Sequence, residues 1–371
     1  MNYVKETRRR HLGKTCAALT LTLLATLAAP SPASASSAEV GCGTVVTSDV
    51  TLTEDLNCTP GGALTIGADN VTVDLNGHTI SGESSTGVSV LRHTGVTVRN
   101  GTIGSGVRVD LNSSLTLSRV KLTSGATVDR DSSLTVTGTL SSCRVGGLSL
   151  SNRSTLTMER CTTYGTIVAS DTHNSTVKWS EIHSALTLSG GGSNAFTGNV
   201  FDGAWTTLKD GSNDNLFADN TFQNSIVAFT AGASQGAPNK VEDNTFKNND
   251  LGMLFGPAFN NISIRDNLFQ GNSTAGIYVN TGSPVITNSY PVADNVFEGN
   301  GLNPSGIVDR AGNTVQGGLY FHSRYWQGTL THNTGSGNGG FLIWAPTGLV
   351  TDGGNNQGPC GPNGNSALTC S

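Results

Sequence analysis

Between Tyr320 and Trp326 the chain sets a phenol, an imidazole, a guanidinium and an indole at every second position: Tyr320, His322, Arg324 and Trp326. If Leu319 to Trp326 is a strand, alternation gathers those side chains on one face and puts Phe321, Ser323 and Tyr325 on the other. A guanidinium binds a carboxylate bidentately, His or Tyr moves a proton, and the flat rings of Trp326 and Tyr325 offer sugar rings a stacking surface. That is the equipment a uronate lyase or epimerase needs. It must neutralise the carboxylate, abstract the C5 proton, and protonate a leaving oxygen or the opposite face. The bland alternative is a coil whose large side chains plug the end of a solenoid.

Asp171-Thr172-His173 offers a second acid and imidazole. Asp210-Gly211-Ser212-Asn213-Asp214 alternates oxygen ligands as a calcium loop does, but Asn215 stands where the loop needs Gly and Thr221 where it needs Glu. It reads as a hydrogen-bonded turn. Nothing else asks for calcium, and the sequence calls for no cofactor and no metal ligand.

What positions these groups is a repeat. Gly198-Asn199-Val200-Phe201, Asp219-Asn220-Thr221-Phe222, Asp243-Asn244-Thr245-Phe246, Asp266-Asn267-Leu268-Phe269 and Asp294-Asn295-Val296-Phe297 recur at intervals of 21, 24, 23 and 28 residues. Asn194, Asn215 and Asn239 stand seven residues before the first three of these Phe residues, with Phe196, Phe217 and Val241 five before. Extended backwards, the frame puts Cys161 and Ile182 in the Phe place, Leu156 and Val177 in the apolar place, and Ser154 and Ser175 in the Asn place. Weaker copies read Ser113-Leu115-Val120 and Ser132-Leu134-Thr139.

Short alternating stretches such as Leu115-Thr116-Leu117 and Leu134-Thr135-Val136 have the period of a strand. Constant separations through successive strands predict a right-handed, single-stranded parallel β-helix, a solenoid of about 12 coils at ~4.8 Å each, rather than a sandwich. The composition agrees, with 48 Gly and only 13% charged residues. Stacked side chains then make Asn194, Asn199, Asn215, Asn220, Asn239, Asn244, Asn267 and Asn295 hydrogen-bonded ladders rather than catalytic groups, and make the Phe residues a core column.

Residues 1–35 read as an export signal: Lys5, Arg8, Arg9, Arg10 and Lys14, then the apolar run Cys16 to Ala29, then Ala33-Ser34-Ala35 as a cleavage site. A twin-arginine route is open from Arg9-Arg10. The run is too short and too rich in Thr to span a bilayer, so residues 36–371 form the exported domain. The leader holds five of the 21 Lys+Arg and one of the 26 Asp+Glu, leaving 16 against 25, a net −9. An acidic chain argues against nucleic acid as a partner. It leaves neutral polysaccharides, cations, or an anionic polymer met by a local basic patch. Oligomeric state cannot be read.

The exported part keeps Cys42, Cys58, Cys143, Cys161, Cys360 and Cys370, an even set that reads as disulfides. Their grouping suggests neighbours in sequence pair, although six cysteines allow 15 connectivities. Two such pairs would staple the ends of the domain.

Cys42-Gly43-Thr44-Val45-Val46, Asp55-Leu56-Asn57-Cys58, Leu64-Thr65-Ile66 and Val71 through Asp74, Asn76 and His78 to Gly82 resemble the opening coils of secreted bacterial parallel β-helix proteins of the NosD-like and pectate-lyase-like superfamily. Asp352 through Cys360 to Cys370 is similar to how such chains end. In that phrase Asp74, Asn76 and His78 are structural. The resemblance implies the fold over nearly the whole exported chain and houses many activities.

Arg119-Val120-Lys121 lies too early for a polygalacturonase's Arg-x-Lys, and no lyase Arg-x-Pro-x-x-Arg is present. Asp171-Thr172-His173 resembles the Asp-Pro-His phrase of alginate epimerases with Thr for Pro. The expected function is binding and modification of an extracellular polysaccharide. Elimination or epimerisation is preferred to hydrolysis because the best cluster lacks paired carboxylates. The rival is a non-catalytic, wall-associated carbohydrate-binding or structural protein.

All six cysteines of the exported chain should be oxidised. Alkylation without reductant followed by mass spectrometry should add no label; free thiols would overturn both the pairing and the compartment.

Overall fold

One coil shows how the repeat builds the molecule. Asn194 leads into Ala195–Thr197, Gly198 turns the chain, Asn199 leads into Val200–Asp202, Gly203 turns it again, and Thr206–Lys209 completes the circuit. Each strand pairs in parallel with its counterpart one coil on, Phe196 with Phe217, Phe201 with Phe222 and Thr207 with Thr230. Repetition stacks these strands into three sheets around a narrow core, the parallel β-helix expected.

The computed structural model describes residues 40–58, 62, 64–82, 86–209, 211–232, 236–256, 261–280, 286–287, 290–322, 326–346, 350–362 and 368–371. The leader lies outside them. The first sheet, to which Thr206–Lys209 belongs, runs through 15 strands from Thr44–Val46 to Cys360–Gly361. The second contains Ala195–Thr197 and the third Val200–Asp202. No helix among the described residues is long and apolar enough to cross a membrane.

Corners decide which residues the repeat requires. Asp219, Asp243, Asp266 and Asp294 adopt the left-handed conformation, with φ between 55° and 58°, and the next residue is a ladder asparagine. Asp and Asn tolerate that region better than most side chains, which explains the Asp-Asn phrase.

The asparagine turns inward and is fully used. Asn244 donates its amide N–H and its Nδ2 to Oδ1 of Asn267, both at 3.0 Å, and gives Nδ2 also to the carbonyl of Phe217 at 2.9 Å. The same pattern links Asn199, Asn220, Asn267, Asn295, Asn333 and Asn356. Asn194, Asn215 and Asn239 make a second ladder. A third, Asn249, Asn272, Asn300 and Asn338, escaped the sequence reading.

Inside, Phe201, Phe222, Phe246, Phe269 and Phe297 stack with centroids 4.5 to 4.8 Å apart, each 0% exposed. Face-to-face offset rings at one strand spacing keep the column dry and in register.

Upstream the frame slips. Thr163, not Cys161, pairs with Ile182, and Met158, not Leu156, pairs with Val177. Likewise Leu122 and Val145 continue the Phe column where Val120 and Thr139 were expected. Thr155–Glu159 is five residues long and Thr176–Lys178 three, so counting back from the corner carries the error. Cys161 instead takes a ladder place, giving its N–H to Ser180 Oγ at 3.2 Å. The disulfides are Cys42–Cys58, Cys143–Cys161 and Cys360–Cys370. His78 sits on Asp55 at 3.2 Å, and Asp74 holds Arg99 and Asn100, structural contacts between the opening coils.

Phe246→Ala should cost ~3–5 kcal/mol, because rings above and below cannot close the cavity. A denaturant midpoint close to the parent's would refute the stacked register.

Candidate functional site

Alternation turns every second residue of the first sheet outward, and register stacks those residues in columns. Arg108, Thr127, Ser149, Val168, Thr187 and Thr207 follow one another along one column. Thr230, Leu254, Tyr278, Tyr320 and Trp344 continue it. A polar, hydroxyl-bearing track thus becomes aromatic towards the C-terminal coils.

The open part of this face holds two depressions. A groove of about 820 Å³ lies over Arg108, Thr127 and Ser149. A smaller one of about 390 Å³ lies over Thr207, Lys209, Thr230, Leu254 and Asn280. Asn280 follows Val279 as His322 follows Phe321, and Val279 pairs with Phe321, so His322 stands next in line beyond the smaller depression.

The aromatic part is covered. Between Val296–Glu298 and Gly317–Phe321 the chain makes a hairpin closed by Val308 against Thr314. Ile307 and Val315 of this hairpin pack on Tyr278 and Tyr320, which are only 3% and 2% exposed although they point away from the main core. Trp344 stacks on Tyr320 at 5.8 Å.

Asp309, at the hairpin tip, gathers the polar groups. Its Oδ1 accepts the amides of Ala311 and Asn313, each at 2.8 Å. Its Oδ2 accepts the Tyr320 hydroxyl at 2.9 Å and Asn313 Nδ2 at 3.0 Å, and lies 3.1 Å from His322 Nδ1. The amide of Arg310 donates to His322 Nε2 at 3.1 Å, which assigns the ring proton to Nδ1, facing Asp309.

Burial pushes the Asp309 carboxyl up, but hydrogen bonds from Asn313, Tyr320 and Ala311 outweigh it and hold the group below the usual carboxylate value. Burial first, and then the Asp309 contact, push the Tyr320 phenol far up, so it serves as a neutral donor.

Of the side chains expected on one face, the structure therefore brings Tyr320 and His322 together, on Asp309. Arg324 and Tyr325 lie outside the described residues, as does the side chain of Trp326, whose backbone pairs with Ile286. Tyr320 plugs no end, because Phe341–Trp344 and Cys360–Gly361 continue the sheet. Asp171 and His173 meet at 3.4 Å in an exposed corner. Six strand spacings of the first sheet, roughly 29 Å, separate that corner from Gly317–Phe321. Ser212 bonds backbone carbonyls of Leu188 and Lys209, as a turn residue does; Asp210 lies outside the described residues. Asp309 was missed because only the hairpin fold brings it to His322; its local signal was an acid before Arg-Ala-Gly-Asn, a turn phrase.

Stacked three-sheet coils with an open lateral track define a right-handed parallel β-helix protein. The pattern of the right-handed beta helix region family matches residues 105–320, more than half of the chain, and the chain belongs to that family. No curated protein matches the sequence. Among solved structures, the A-module of a mannuronan C-5 epimerase of Azotobacter vinelandii is similar over 86% of this chain and 91% of that one, at 11% identity and a TM-score of 0.41.

An unfolded Asp titrates near ~3.9 and Asp309 lower, so its contribution is full above about pH 4 and is lost as pH falls through the folded value. Protection of the Ala311 and Asn313 amides, taken relative to their intrinsic exchange rates, should fall over that acid window. Asp309→Asn, which turns an amide against three donors, should lower it at neutral pH about tenfold. Unchanged protection in the variant would dismiss Asp309 as the latch.

Proposed function

We propose that this is an exported protein that binds an extracellular polysaccharide along the outer face of its first sheet and modifies it at the His322 end. The observation that carries the reading is the track itself. Groove, hydroxyl column and smaller depression follow one another in register over successive coils and lead to Asn280 and His322. An extended face of Thr and Ser hydroxyls with few charges suits an extended, hydroxyl-rich polymer, and the hairpin-covered end supplies the only imidazole in line with it among the described residues.

Modification here means elimination or epimerisation of a uronate. With Nδ1–H held by buried Asp309, His322 is oriented to take a proton on Nε2 once the Arg310 amide withdraws. Tyr320, neutral and bonded to Asp309, fixes that carboxylate. Arg324 is proposed to neutralise the uronate carboxylate, with Trp326 and Tyr325 stacking on the sugar; Asp171 and His173 would belong to a separate place on the track. Three disulfides and the signal-like leader support export. A second reading, binding without turnover, is favoured by one contact: Nε2 already accepts the Arg310 amide at 3.1 Å.

A screen against uronate and neutral polysaccharides, following unsaturated ends, reducing sugar and C5 proton exchange together, decides between them. Turnover that vanishes in His322→Ala, by ~10²-fold or more, supports the catalytic reading. Binding without turnover leaves the second reading, and neither binding nor turnover on any polymer sinks both.

A further inference from the structure

Asp110 ends the strand Gly106–Asp110 at the rim of the larger groove and is 1% exposed. It accepts Arg108 Nη2 at 2.7 Å and Arg130 Nε at 2.7 Å, and it also holds Arg130 Nη2. The next acid in register, Asp129, accepts Ser151 Oγ at 2.7 Å and Asn152 Nδ2 at 2.6 Å. Asp110 uses both oxygens, whereas both side-chain donors of Asp129 fall on Oδ1 and its Oδ2 has Arg130 Nε at 3.6 Å; hydrogen bonds from Arg130 and Ser151 respectively hold the two carboxyls below the ordinary carboxylate range.

Arg108 is not occupied in the same way. Its side chain lines the groove and is 50% exposed, and its one side-chain hydrogen bond among the described residues is the Nη2 contact to Asp110. The remaining guanidinium N–H groups bond no described residue. Thr127 and Ser149 carry hydroxyls along the same column, while Gly125 and Gly147 leave the adjacent edge without side chains. What the groove offers, after internal bonds are made, is an anchored cation with donors to spare above a hydroxyl floor.

We infer that this groove is a subsite for an acidic sugar, in which Arg108 takes the carboxylate of a uronate residue and Thr127 and Ser149 meet its hydroxyls. A guanidinium already fixed by a buried acid loses little freedom on binding and matches a planar carboxylate, which a lysine does not. The inference rests on the uronate reading above and gives that polymer a second, charge-assisted contact far from His322. Nine strand spacings of the first sheet, about 43 Å, separate Gly106–Asp110 from Gly317–Phe321, so only a long chain reaches both.

Titration calorimetry of the exported protein with tetramers of galacturonate and of mannuronate, against cellotetraose as the neutral control, tests it. At least one acidic tetramer should bind, with the neutral one at least tenfold weaker. Arg108→Gln and Arg108→Lys should each weaken acid binding about ten- to hundredfold. Thr127→Trp, which fills the groove beside Arg108, should abolish it in a protein that melts like the parent. No acidic binding, equal neutral binding, or variants that bind as the parent does would overturn the subsite. Turnover of a uronate polymer without tetramer binding here would remove this inference and leave the proposed function. Tetramer binding without turnover would remove the catalytic reading and leave the subsite.

Discussion

Every coil must turn its backbone through tight corners beside a narrow apolar core, and a buried N–H or C=O there has no water to bond. The asparagine ladders meet that constraint. One side chain takes an N–H and an amide hydrogen from the coil behind and returns a hydrogen each to the coil ahead and to a carbonyl, so a corner is satisfied only when its neighbour is in register. Sheet pairing, ring stacking and the outward columns all inherit that register. A slip of one residue would turn apolar side chains into water and at the same time strand the amides of the ladder.

Much of this is legible in sequence because repetition converts a spatial column into a constant separation. Asp-Asn before a Phe reads as a left-handed corner, a ladder amide and a core ring, and those assignments hold from Asn199 to Asn295. The third ladder is written as plainly, five residues after Asn244, Asn267, Asn295 and Asn333 at Asn249, Asn272, Asn300 and Asn338, but without an accompanying ring to draw notice. In the upstream coils strand lengths vary, and a frame counted from one corner to the next drifts, as it did at Cys161 and Leu156. The acid beneath Tyr320 and His322 was illegible for another reason: Asp309 reaches them through a hairpin laid across the sheet, a contact with no fixed spacing. The aspartate that anchors Arg108 and Arg130 shares that fate, since its partners come from two coils.

The outer face of the first sheet shows how a rigid repeat acquires local character. Alternation fixes where a side chain points, and nothing in the ladders fixes what it is. The column can therefore pass from Arg108 through hydroxyls to Leu254 and three aromatic rings while the core beneath stays uniform. The aromatic stretch is the part that a soluble surface tolerates least, and it is the part the hairpin covers.

The Cys143–Cys161 bridge stands in the ladder of Asn199, where the column of asparagines gives way through Ser180 to residues that cannot carry it on. An asparagine side chain such as that of Asn244 makes four bonds across coils, and the Ser180 hydroxyl accepts one amide of the coil behind. A covalent link at that corner joins two adjacent coils where no asparagine side chain does, so tension along the axis is carried there by a bond and not by strand pairing alone.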